Sequence, residues 1–201
     1  SIMDDMTPEK FMQRKKFLQW INRTEDLFSK KYNKPIWKGE RGKLLVVNEF
    51  GCGDTIMFSR YIHALDLDVL FSCNKELHSL FQQFPVELAP KKHFDYSKVD
   101  FVTHLASIPN KIGVKTSGKS YLKGIGNKEL ETGFNIGICY KGDYHFIPPK
   151  HFSNLGGNHF DLTKGMTKLK MGDFNDTACI VEKLDLVITV DTAMAHLAGA
   201  I

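Results

Sequence analysis

At 201 residues, 42% hydrophobic and 25% charged, the chain has the make-up of an ordinary globular protein, with room for one large domain or two small ones. The net charge of +4 (pI near 8.8) is spread over Lys30 and Lys31, Lys91 and Lys92, and residues 164–170 rather than gathered on one arm. Without a nucleic-acid motif this disfavours RNA or DNA, and it suits an anionic small ligand equally well. No apolar stretch reaches the roughly 20 residues that a membrane span needs, and the polar start, Ser1-Ile2-Met3-Asp4, does not read as a secretory leader.

In chain order, residues 8–32 read as a helix, with Phe11, Phe17, Trp20, Ile21, Leu27 and Phe28 at loosely helical spacing. Asn33 to Gly42 break that pattern and read as a linker. A buried strand at 44–47 follows, then the turn Asn48-Glu49-Phe50-Gly51-Cys52-Gly53, and a helix from Asp54 to about Leu65 with Ile56, Met57, Tyr61 and Leu65 facing inward. A second strand (68–73), a second helix (75–84) and shorter strands near 86–88 and 101–102 complete a β/α alternation, which implies a parallel sheet. Pro109, Gly113 and residues 117–126 form a looser stretch suited to a crossover between lobes.

A new β/α unit starts at residues 134–139. A strand near 159–162, a helix over 176–183 and a final strand-to-helix unit come next. In that last unit Leu186, Val187, Ile188 and Val190 make a near-continuous, largely β-branched apolar run, as in a parallel strand covered on both faces. Ala193, Met194, Ala195, Leu197, Ala198 and Ala200 make an apolar helix. Ending on that helix leaves apolar surface to be covered, so the second lobe reads as truncated. The expected domains are 1–36 (helical segment and linker), 37–126 and 127–201.

Polar residues cluster only where strands hand over to helices. Asp191 and Thr192 stand at the carboxyl end of the last strand, where open α/β sheets bind ligands and where helix N–H groups suit a phosphate. His196, one turn on, reads either as a packing histidine or as a donor to phosphate oxygens, and Asp191 either as a cap or as a ligand contact. After the first strand, Gly51 and Gly53 allow a sharp turn and close approach of a ligand. The third glycine of a dinucleotide fingerprint would fall at Ile56, and no GK[ST] ending follows, which disfavours a nicotinamide enzyme and a P-loop. Asp54 reads as an N-cap or as a general base. Lys141 and Lys150 are the candidates to offset charge on a leaving diphosphate. No His/Cys/Asp/Glu cluster has metal-ligand spacing, and Cys52, Cys73, Cys139 and Cys179 are too far apart for a CxxC motif. The last three sit in apolar runs and read as buried free thiols, which points to a reducing cytoplasm.

Four blocks in this order resemble the family 9 glycosyltransferases, the ADP-heptosyltransferase-like group, and most nearly the branch in which such a domain follows tetratricopeptide repeats. The blocks are Trp37-Lys38-Gly39-Glu40; Glu49 to Tyr61; Leu105 to Pro109 with Tyr121-Leu122; and Asp176-Thr177-Ala178 with Leu184 to Ala200. The resemblance implies a GT-B fold of two Rossmann-like lobes with parallel sheets. It implies inverting, metal-independent transfer from a nucleotide diphospho-sugar, which is a substrate and not a cofactor. The acceptor would be a glycan, a lipopolysaccharide core or a protein. Carried onto matching positions, Asp54 is the base, Asp191, Thr192 and His196 hold the donor, and Lys150, with Lys141 as its rival, steadies the diphosphate. The sequence departs from the family at Cys52 and Phe50, in the short stretch from Lys141 to His159, and after Ala200. Those departures keep open a second reading, a non-catalytic nucleotide-binding or interaction module on a degenerate GT-B fold.

Overall fold

A computed structural model describes residues 15–90, 95–113, 118–163 and 172–201. The expected start of the first helix (8–14), Phe11, Lys91 and Lys92, Ser117 and the lysines of 164–170 lie outside the described residues. The fold is α/β, with two all-parallel sheets, and the chain divides into two compact units. One comprises residues 1–49, 58–75 and 84–118, the other 50–57, 76–83 and 119–201.

The first unit holds a four-stranded sheet in the order β3-β2-β1-β4, formed by β1 (Leu44–Val47), β2 (Val69–Cys73), β3 (Glu87–Pro90) and β4 (Phe101–His104). Every residue of β1 and β2 is buried, which explains why both are apolar but for Ser72. Helix α1 (Lys15–Tyr32) packs on β4 and buries Ile21 and Phe28, with Phe28 in a cluster that includes Leu45, Leu70 and Val102. Trp20 and Leu27, read as members of the same stripe, are 40% and 59% exposed. The helix ends at Asn33, whose φ of 51° is left-handed, with Lys34 N–H reaching back to the Ser29 carbonyl.

The segment read as a linker is docked. Trp37 N–H donates to the Val102 carbonyl, Val102 N–H donates to the Pro35 carbonyl, and the Trp37 ring is buried. The stretch around Pro109 is also more ordered than expected, because α4 (Ile108–Ile112) carries that proline in its first turn and stops at Gly113, φ 64°.

The helix expected over 54–65 is α2 (Cys52–Ser59), followed by a 3₁₀ turn at Ile62–Ala64. Ile56 and Tyr61 are buried as expected, while Met57 and Leu65 are only partly so and Phe58 and Ser59 take their place. The helix expected over 75–84 is a 3₁₀ turn, Lys75–Leu77, running into the single turn of α3 (His78–Phe81).

The second unit is built on β5 (Asn135–Cys139), β6 (Asn158–Asp161) and β7 (Leu186–Thr189), in the order β6-β5-β7. The central strand β5 is buried throughout. The expectation that the 186–190 run is covered on both faces fails, because β7 is an edge strand with Leu186 41% exposed. Between β5 and β6 the described chain makes a hairpin-like turn and a 3₁₀ turn at Pro149–Phe152, as the short stretch there implied. Helix α5 (Phe174–Val181) starts two residues before the predicted Asp176, because Asp173 caps it by accepting from Asn175 and Asp176 N–H at 2.9 and 3.0 Å. Helix α6 (Ala193–Ala198) closes the described chain, burying Met194 and Leu197. In both sheets strands are added outward on either side of the first strand, the Rossmann-like arrangement. Among the described residues no helix is long and apolar enough to cross a membrane.

Candidate functional site

In the second unit the strand order reverses between β5 and β7, so the crevice expected of such sheets opens beyond Cys139 and Thr189. Val190, Asp191 and Thr192 follow β7 there. Thr192 has extended backbone geometry and caps α6, its hydroxyl accepting from Met194 N–H at 3.3 Å. The same oxygen lies 3.3 Å from the Val190 carbonyl, 3.3 Å from Thr189 Oγ1 and 3.8 Å from Cys139 Sγ. The cap is therefore Thr192, not Asp191, whose side chain is left exposed at the rim. Cys139 and Thr189 belong to this cluster and went unnoticed in the sequence, where each reads as one more strand residue.

Opposite Thr192, residues 140–147 fold back on themselves, with Ile147 N–H donating to the Tyr140 carbonyl and Gly142 N–H to that of His145. Gly142 presses on Thr192, since a Cβ there would stand 2.5 Å from Thr192 Cγ2 and 3.5 Å from the Asp191 carbonyl. Lys141 is exposed beside this contact. Lys150 is exposed on the 3₁₀ turn, its carbonyl taken by Ser153. Among the described residues no hydrogen bond or ion pair joins either ammonium to Asp54, Asp191 or His196, so only the Lys141 backbone neighbours the cluster.

Asp54 comes to the same place. It is the third residue of α2, inside the first turn, so the reading of it as an N-cap is corrected. The helix starts earlier because the Gly51 carbonyl already accepts Thr55 N–H and Thr55 Oγ1. The Asp54 carboxyl is half-buried. Loss of hydration holds it above the usual aspartate range, the nearby His196 imidazole pulls it down, and the Asp191 carboxylate pushes it up again. Asp54, Asp191 and His196 thus share one electrostatic neighbourhood.

Neither Gly51 nor Gly53 has a positive φ, so no left-handed turn requires them. Gly51 is open on its Cα side, whereas a Cβ at Gly53 would lie 2.8 Å from His196 Cδ2 and 3.1 Å from Ala193 Cα. The close approach at Gly53 is made by α6 itself.

Comparison of the chain with protein-family models, curated proteins and solved structures finds no match in any of the three. Two concavities lie elsewhere. A cavity of about 360 Å³ in the first unit is lined by Asn22, Glu25, Trp37 and Lys111, but its buried charges are satisfied. Lys111 Nζ donates to both Glu25 oxygens at 2.7 and 2.9 Å, to the Trp37 carbonyl at 2.8 Å and to Thr103 Oγ1 at 3.1 Å. A second, of about 270 Å³, lies under the 3₁₀ turn among Ile138, Tyr140, Phe152 and Asp161, with Tyr140 Oη 3.1 Å from Asp161 Oδ2. Among the described residues no group of three or more His, Cys, Asp or Glu is arranged to hold a metal ion.

Proposed function

We propose that the protein is a glycosyltransferase of GT-B architecture that moves a sugar from a nucleotide diphospho-sugar to an acceptor hydroxyl with inversion and without a metal. The observation that carries this reading is the convergence of Asp54 with Asp191 and His196, next to the Thr192 cap at the β5–β7 switch point. In the reaction the acceptor oxygen attacks the anomeric carbon as the bond to the diphosphate oxygen breaks. The acceptor proton passes to Asp54, and the nucleoside diphosphate departs. A carboxylate held above its usual range is a stronger base than a free aspartate. Asp191, Thr192 and His196 bind the donor, and Lys141, whose chain neighbours Thr192, is better placed than Lys150 to meet the departing charge. The acceptor class is a glycan, a lipopolysaccharide core or a protein, and the compartment is the cytoplasm, which four free cysteines suit.

The test is Asp54→Asn, read by donor binding and by transfer or donor hydrolysis. The expected result is a loss of roughly 10²–10⁴-fold in turnover with donor affinity retained. Equal loss of both would overturn the role of base. A second reading, a non-catalytic nucleotide-binding module, draws on two observations: the Thr192 hydroxyl is already committed within the protein, and Lys150 has no link to the carboxylate cluster. Stabilisation by nucleotide sugars with no turnover across acceptors would favour that module.

A further inference from the structure

Residues 121–125 have no helical or strand structure, and the sequence reads them as part of a loose crossover. They form instead a strap bonded to four elements of the second unit. Tyr121 and Leu122 N–H both donate to the Ala200 carbonyl, just past α6, at 2.9 and 3.0 Å. Tyr121 Oη donates to the Ile56 carbonyl of α2 at 2.9 Å. Lys123 exchanges two hydrogen bonds with Gln83, which follows α3. Gly124 N–H donates to Glu182 Oε1, and Ile125 exchanges two hydrogen bonds with Asn175 of α5. Gly124 is flush against that helix, where a Cβ would stand 2.6 Å from Cys179 Cα.

Tyr121 joins α2 to the end of α6. Its hydroxyl grips the helix that carries Asp54, and its backbone grips the helix that carries His196. Ile56 is two residues from Asp54, and Ala200 one turn from His196. That side-chain hydrogen bond reaches the turn that carries Asp54, because the Ile56 carbonyl lies in it, and it adds to the direct packing of Gly53 on His196 and Ala193.

We infer that Tyr121 is a positioning residue, setting the approach of Asp54 to His196 by clamping the first turns of α2 to the end of α6. The arrangement itself does not depend on what reaction the site performs. Only its consequence for turnover rests on the glycosyl-transfer reading.

The experiment compares Tyr121→Phe with Gln83→Ala in the full chain. Tyr121→Phe deletes the Ile56 bond and keeps the ring. Gln83→Ala cuts the strap elsewhere and serves as the control for a purely structural role. The Asp54 carboxyl is titrated by carbon NMR in each protein, with His196→Gln added to each background. The groups facing Asp54 are His196 and Asp191. The inference expects Tyr121→Phe to raise the Asp54 midpoint, as the imidazole's lowering influence weakens, and to blunt the further rise caused by His196→Gln. Gln83→Ala should lower the melting temperature and leave the Asp54 midpoint in place. An unmoved midpoint in folded Tyr121→Phe, or an equal movement in Gln83→Ala, overturns the inference. Should Tyr121→Phe not fold, 3-fluorotyrosine at position 121 makes the hydroxyl a stronger donor to the Ile56 carbonyl; a lowered Asp54 midpoint then supports the inference and an unmoved one overturns it. Where the wild type turns over a nucleotide sugar, Tyr121→Phe should lower kcat on the order of tenfold with donor KM unchanged. A wild type without turnover removes the glycosyl-transfer reading and leaves the titration result standing.

Discussion

Gly53 and His196 are in direct contact, with no room for a side chain between the α2 backbone and the imidazole ring. The glycine is kept small by a neighbour within its own unit, so the α2 and α6 first turns approach at a distance that only hydrogen at Cα permits.

Gly53→Ala should therefore destabilise the protein. The His196 ring can swing, but Ala193 Cα, 3.1 Å from the new methyl, belongs to backbone and must shift. Overpacking of this kind costs about 1–3 kcal/mol, more than the gain in helix propensity near a helix start. Gly51→Ala, whose methyl meets nothing within 4 Å, is the control and should be neutral or slightly stabilising in urea unfolding.

Asp54→Asn should be more stable than the wild type at neutral pH. The folded carboxyl has a raised pKa, so folding favours its protonated form. Ionisation then costs the native state more than the unfolded chain, and this penalty appears as pH rises through the folded value. The variant's melting temperature should exceed the wild type's at pH 7, and the two should converge once the pH falls below the ordinary aspartate value of about 3.9.

In the first unit Glu25 and Lys111 form a nearly buried pair, with side chains 6% and 17% exposed. Lys111→Met would strand the Glu25 carboxylate among Thr103, the His104 backbone and apolar side chains. The expected loss is about 3–5 kcal/mol by urea unfolding. Adding Glu25→Gln should recover most of it, because a neutral amide carries no unpaired charge.

His104 lies beneath that pair, stacked on Phe28 at 5.8 Å and edge-on to Trp20 at 5.5 Å, with Nδ1 accepting Ala106 N–H. Burial, together with the Lys111 charge and against the pull of Glu25, lowers its pKa to about 4. The neutral ring's contribution is complete above the unfolded value of 6.5 and is lost as pH falls towards about 4. Unfolding free energy should decline through that window by up to roughly 1.4 kcal/mol per pH unit. His104→Asn, which keeps an acceptor for Ala106 N–H, should flatten the slope whatever its absolute stability.

The buried strands were the most legible part of the sequence. Leu44 to Val47, Val69 to Cys73 and Asn135 to Cys139 are buried throughout, and that environment writes itself as runs that are apolar but for Ser72 and Asn135. The run at Leu186 looked the same and is half-exposed, because composition does not say which strand becomes an edge. Helix starts are hard to read from sequence where a neighbour competes for the role. Asp54 and Asp191 both look like caps, yet the Gly51 carbonyl and the Thr192 hydroxyl do that work. Asp54, Asp191 and His196 were each picked out, but their meeting follows from chain topology that no spacing reveals. The strap at 121–125 was least legible, since it is held largely through main-chain groups, which every residue but proline possesses.

The parallel run of β5, β6 and β7 has an engineering corollary. Whatever follows each strand emerges along a single rim, while the interlocked sheet register lies behind it. The reverse turn over 141–146 is tied down mainly at its two stems, so its tip can be lengthened or randomised without disturbing the scaffold. A library confined to residues 143–145 would thus vary the chemistry of the rim and leave the sheet register in place.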